Sequence, residues 1–379
     1  MLFAKLKRSI RYNCQMKKLL LLVIILFGFG FIAIKNINSQ TEKNSKEKIQ
    51  EKIQIEQNRE ALEEKLEVVS SVKKSVFVPY WNIENTENLA EYDEVIYFGI
   101  SVNENGVNKD EQGFANLQNF VDSTNKSKQY LTVRMLNTET NLTILESSEA
   151  QKRVIDDVIF VANEYGFDGI VLDLELSVIP FSNVKDNISM FISTFSDELE
   201  SENLKFDVTL YGDMYYRGRP YDVKKIASKV DKVLIMAYDF HKSRGEPGPN
   251  FPFTGQKKYG YDFQQMISDF QKDIPSEKIV VIFGMFGYDW TLGSQGLPLT
   301  SATAFTLADA QEGFTPTCNY ISCIVTRDLE SKEMKGTYID DENYKHEIWF
   351  EDEESVQIKT NYLKEQGIGS ISYWTWGYW

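Results

Sequence analysis

Residues 166–175 read Gly166-Phe167-Asp168-Gly169-Ile170-Val171-Leu172-Asp173-Leu174-Glu175. Side chains alternate across a β-strand, so Val171, Asp173 and Glu175 fall on one side and Ile170, Leu172 and Leu174 on the other. The second set is wholly apolar and asks for a core. The first ends in two carboxylates two residues apart, which are costly to enclose unless they are put to use. In a parallel barrel the carboxyl end of a strand opens onto the active-site face. The alternative is a partly exposed edge strand whose acids simply face water.

Working outward, apolar runs alternate with helical patterns, the signature of repeated β-α units and a parallel sheet. Strands are expected over residues 75–81, 94–101, 129–135, 168–175, 205–211, 231–239, 278–287 and 369–376. Helices are expected over residues 150–165, 184–199, 261–272 and 354–366. Eight strands with interleaved helices predict the α/β class and a (β/α)8 barrel rather than an open sheet.

The chain has 379 residues and a formal net charge of −15. About 300 residues remain after the N-terminal segment, enough for one barrel of ordinary size. No basic cluster marks this main body, which argues against nucleic acid as a partner. The only histidines, His241 and His346, have no companion Cys/His cluster, so a zinc site is not expected. No Gly-rich phosphate loop precedes a helix. Cys318 and Cys323 lie close together and could pair if the chain is exported, while Cys14 precedes the apolar segment.

Residues 19–34 are all apolar or glycine, and Lys5, Lys7, Arg8, Arg11, Lys17 and Lys18 precede them. This charge asymmetry directs export with the N-terminus inside. The run is slightly short of the roughly 20 residues a spanning helix prefers, yet no small-x-small cleavage site follows. An uncleaved, single-pass anchor with an extracytoplasmic barrel is expected, and secretion after cleavage is the alternative. Met16 is an alternative start. Residues 41–69 are rich in Lys, Glu and Gln, without Gly or Pro, and read as a charged helical stalk. The resulting division is a tail and anchor over 1–40, a stalk over 41–74 and the barrel over 75–379. A monomer is expected.

The strand motif resembles the signature of glycoside hydrolase family 18, the chitinase-like family. Asp168, Gly169, Asp173 and Glu175 match it, while Val171 stands where the family usually places an acid or amide. Met236, Tyr238 and Asp239 resemble the family's later Met-x-Tyr-Asp strand, and Trp374 its eighth-strand tryptophan. Residues 287–292 and 346–352, with Ser355 and Lys359, look most like the branch that acts on bacterial cell walls and spore cortex. Residues 292–348, rich in glycine and proline, resemble the family's insertion between strands seven and eight; a variable surface loop is the other reading.

That resemblance implies both a mechanism and a set of site residues. Family 18 is substrate-assisted, an exception to the usual pair of catalytic carboxylates. The substrate's 2-acetamido carbonyl attacks the anomeric carbon, and Glu175 serves as acid and then base. Asp173 orients the acetamido N–H, Tyr238 donates to the acetamido oxygen, and Trp374 stacks under the sugar. Met236 and Asp239 join the binding set, Asp168 and Gly169 are structural members of the motif, and Tyr80 is added for its place at the end of the first strand, where it could touch sugar. Barrel packing would also account for Tyr238 and Trp374, and a helix N-cap for Asp239. With Val171 in place of an acid, Asp173 is expected to be simply ionised. No metal or cofactor is required. The substrate is an N-acetylated polysaccharide, chitin or peptidoglycan, attacked in endo or exo fashion. A catalytically silent carbohydrate-binding protein on the same barrel is the competing function, and an assembly protein acting through the stalk is a third.

Overall fold

The computed structural model describes residues 72–379, apart from 84–85, 125–126, 177–181, 316 and 319. The expected anchor over 19–34 and stalk over 41–69 lie outside the described residues. Among the described residues no helix is long and apolar enough to cross a membrane.

Eight parallel strands form a closed barrel: β1 (Lys73–Pro79), β2 (Glu94–Asn103), β3 (Lys128–Met135), β4 (Gly169–Leu174), β5 (Lys205–Tyr211), β6 (Lys232–Met236), β7 (Ile279–Gly284) and β8 (Ser370–Trp374). Each pairs with the next, and β8 returns to β1 in register from Lys73↔Ser370 to Val76↔Tyr373. Closure leaves these strands without an unpaired edge. β4 therefore lies between β3 and β5 rather than at a margin, which removes the edge-strand reading of its acids.

Local chemistry fixes where β4 begins. The helix before it, Ser148–Tyr165, opens at Ser147, whose hydroxyl accepts the Ala150 N–H, and closes at Gly166 with φ 75°. Glycine takes this left-handed geometry without the Cβ penalty. Asp168 then ties three strands together: its Oδ2 accepts the Gln129 N–H at 2.8 Å, and its carbonyl accepts from Lys205 at 3.0 Å. At Gly169 an added Cβ would lie 2.7 Å from both Lys205 and Tyr130, so the strands cannot approach this closely around a larger residue.

The two faces of β4 divide as its alternation dictates. Ile170, Leu172 and Leu174 are buried under the helices. Each contributes about 1.5–3 kcal/mol of apolar burial, and truncating one to alanine costs about 2–5 kcal/mol. Val171 points into the barrel lumen among Phe77, Tyr130, Leu234, Met236 and Ile282. The lumen is a packed core that ends just below Asp173.

Two expected strands differ in extent. Residues 278–287 are not one strand: β7 stops at Gly284, and Phe286–Leu292 belongs to a second sheet. Only glycine fits at the break, since a Cβ at Gly284 would come 2.5 Å from the Phe286 ring and 2.8 Å from Tyr238 Cβ. Residues 231–239 shorten to Lys232–Met236, because Asp239 has φ 58° and cannot extend a strand.

The insertion is an organised sheet rather than a loop. Five antiparallel strands lie in the order Thr303–Thr306, Phe286–Leu292, Lys345–Phe350, Met334–Ile339, Ile321–Arg327, with a helix at Leu307–Phe314. It thus starts earlier than residue 292. Trp290, Leu292 and Trp349 form a small core of its own. Cys318 is joined by a disulfide to Cys323 of its outermost strand, their Cα atoms 6.0 Å apart.

Candidate active site

Asp173 and Glu175 emerge at the carboxyl end of β4 into a cavity of about 440 Å³. Tyr238, Asp239 and Trp374 line the same cavity, as do Phe98 and Leu136. Its opposite wall comes from the insertion through Phe286, Tyr288, Phe305, Thr306 and Asp309.

The backbone of Glu175 is held on both sides. Its N–H donates to the Met135 carbonyl at 2.8 Å, and its carbonyl accepts the Asn141 amide at 2.9 Å. Tyr221 pins the flanking residues, donating to Leu174 O at 2.7 Å and accepting the Leu176 N–H at 3.0 Å. Glu175 Oε2 accepts the Tyr211 hydroxyl at 2.8 Å. Tyr211 is itself clamped: the Arg219 guanidinium lies 3.6 Å from its ring centroid and is held by Asp213 at 2.6 and 3.0 Å.

Asp173 is 5% exposed, and its Oδ1 accepts the Thr209 hydroxyl at 2.5 Å. Burial, first, and the charge of Glu175, second, push its carboxyl up to about 7, against the opposing pull of Thr209 and Arg134. This corrects the expectation of a simply ionised Asp173. Removing an acid at position 171 does not free Asp173 to ionise, because the apolar lumen and Glu175 both disfavour its charge. Val171 instead stands in register with Asp207 of β5, a buried carboxyl pushed up to about 8 by burial above all.

Tyr238 is half-buried, and its hydroxyl makes no hydrogen bond to the described residues. Burial and then the charges of Asp173 and Glu175 hold its proton firmly on. The Trp374 ring lies 4.7 Å from Phe98 and 5.7 Å from Phe77, centroid to centroid, forming an apolar floor. Asp239 accepts the Tyr288 hydroxyl at 2.8 Å, while its backbone N–H donates to Asn250 Oδ1 at 2.8 Å; it caps no helix. Burial raises its carboxyl above the ordinary range.

Over residues 73–378 the chain matches the family model for glycosyl hydrolases family 18. The chain belongs to glycosyl hydrolase family 18. It is 26% identical over 290 residues to a cortical fragment-lytic enzyme of Bacillus anthracis, covering 74% of this chain and 64% of that protein. It is 28% identical over 230 residues to chitotriosidase-1 of Mus musculus, covering 55% and 49%. The chain thus spans less than two thirds of these relatives' length. The crystal structure of the Bacillus cereus spore cortex-lytic enzyme SleL superposes with a TM-score of 0.64 at 23% identity, over 81% of this chain and 71% of that one.

In this family 18 barrel the sequence-read residues separate. Glu175, Asp173, Tyr238, Asp239 and Trp374 meet in one cavity. Met236 lies below it in the packed lumen, 6% exposed. Tyr80 does not line the cavity: the Arg134 guanidinium lies 5.0 Å from its ring centroid, and Trp81 packs edge-on beside it. Asp168 and Gly169 sit at the opposite end of β4. Thr209 has only one signal in the sequence, the period-two face it shares with Asp207 and Tyr211 on β5. Tyr288 lies in the 287–292 piece that resembles the cell-wall branch, though nothing there gives it a role, and Asp309 has no signal because the insertion delivers it from far along the chain. Among the described residues no group of three His, Cys, Asp or Glu side chains could hold a metal ion.

Proposed function

We propose that this barrel hydrolyses glycans containing N-acetylglucosamine, bacterial wall glycan before chitin, by substrate-assisted catalysis with retention. One observation carries the reading. Asp173 and Glu175 line one cavity with Tyr238, whose hydroxyl bonds to none of the described residues, and with Trp374. The names of the cortex-lytic relatives support wall glycan as the substrate.

The sugar ring stacks on Trp374, and its acetamido group lies between Asp173 and Tyr238. The acetamido oxygen attacks the anomeric carbon, the glycosidic bond breaks, and the leaving oxygen takes a proton from Glu175. Asp173 accepts the acetamido N–H and stabilises the oxazolinium cation; Tyr238 donates to the acetamido oxygen. Water then adds to the anomeric carbon, returning a proton to Glu175 and restoring the acetamido group. The basic residues before the apolar run at 19–34 support a membrane-tethered barrel facing the envelope, or a secreted one.

The test incubates the purified protein with bacterial wall glycan and, separately, with N-acetylglucosamine oligomers, and compares product masses with those from Glu175→Gln. Release of reducing N-acetylated sugar by the parent alone is expected. Oligomer binding without release by the parent would favour the silent carbohydrate-binding protein, the reading to which the buried Val171 lends weight.

A further inference from the structure

We infer that Glu333, neutralised by Lys359, is a positioning residue for the segment after β6 and so for Asp239 and Tyr238 in the cavity; the inference rests on the glycosidase reading. Lys359, on the helix Glu353–Glu365, is fully buried. Its ammonium donates to Glu333 Oε1 at 2.9 Å and to Glu351 Oε2 at 2.5 Å, and both carboxylates are fully buried too. The two acids then differ. Glu351 takes the Ser355 hydroxyl at 2.5 Å, within its own helix start. Glu333 reaches across to the segment after β6, accepting the N–H groups of Asn250 at 2.5 Å and Phe251 at 2.8 Å.

Asn250 passes this anchorage to the cavity. It is 2% exposed, its Oδ1 accepts the Asp239 N–H at 2.8 Å, and its carbonyl accepts from Phe240 at 2.8 Å. Asp239 has φ 58°, a conformation a residue with a Cβ holds only when its surroundings fix it. From the other side Tyr288 bonds its carboxyl. The chain of contacts therefore runs Lys359, Glu333, Asn250, Asp239, with Tyr238 one residue away.

Stability alone does not explain an ion cluster at this place, because apolar side chains of similar volume are often at least as stable as a buried ion pair. An apolar trio could not accept two N–H groups from a segment outside regular secondary structure, and those groups would be left unpaired. An ionised acceptor also makes each bond stronger than a neutral one.

Glu333→Gln removes a buried charge beside the ammonium, and Glu351→Gln, made likewise in the full chain, replaces a carboxyl that burial pushes up to about 8, but only the first touches Asn250. Turnover of wall glycan is measured well below each variant's melting temperature. Glu351→Gln should melt earlier while keeping kcat within about twofold; Glu333→Gln should lose about tenfold to a hundredfold in kcat, the scale on which misplaced groups act. Asn250→Ala spares the ion cluster and should show the same loss in kcat. Parallel losses in the two glutamine variants, or an unchanged kcat in Asn250→Ala, would overturn the proposal. If the parent releases no sugar, the glycosidase reading fails by itself, and affinity for N-acetylglucosamine oligomers decides the network's role. Weaker binding by Glu333→Gln than by Glu351→Gln then supports it, and equal binding overturns it.

Discussion

At the end of β4, the carboxyls of Asp173 and Glu175 line one cavity, and their direct hydrogen-bonding side chains are the hydroxyls of Thr209 and Tyr211. Beneath the insertion, Glu333 and Glu351 have the ammonium of Lys359 between them. Both regions take acids out of water. One leaves the charge unbalanced and opens onto a cavity; the other neutralises it and is sealed. An unbalanced pair with a perturbed carboxyl is a means of moving a proton. A balanced cluster can only hold its neighbours in place.

The sharpest way to break this contrast is Glu175→Gln. Turnover should fall by about 10²–10⁴-fold, the usual span for a general acid or base, with the melting temperature nearly unchanged. Lys359→Met should do the reverse, leaving the buried carboxyls without their cation and costing about 3–5 kcal/mol of stability by denaturant titration. If Lys359→Met melts like the parent, the cluster is not a sealed, charge-balanced unit.

The pH dependence comes from Asp173. Its carboxyl is raised from 3.8 to about 7 on folding, so between those values the folded chain binds a proton that the unfolded chain has lost. Stability should therefore decline as pH rises through that window. The smallest expected effect is on Asp173→Asn, which should melt a few degrees above the parent at pH 8 while turning over more slowly. A lower melting temperature at pH 8 would mean that the buried charge is stabilised after all.

Much of this contrast was legible in the sequence, for uneven reasons. Period-two alternation located β4 and the faces of its acids, and β5 fell on residues 205–211 as expected. The insertion was not legible as a sheet. Its glycines and prolines read as turns, although Gly336 is needed because a Cβ there would come 2.7 Å from Ile348. Asp173 was misjudged because one neighbour on its own strand says nothing about enclosure by the strands around it. Tyr80 follows an apolar run as a sugar-binding aromatic would, yet Arg134 of β3 covers it, a contact no local pattern announces. The partners of Lys359 are likewise set by tertiary structure, since Glu333 lies 26 positions away.

The pairing of β1 with β8 has a consequence for how the site comes into being. Glu175 leaves the ribosome about 200 residues before Trp374, and the ring cannot close until β8 arrives. A nascent chain thus holds its acids without the aromatic floor on which a sugar would rest. The order of synthesis itself withholds the glycan site until the barrel is complete.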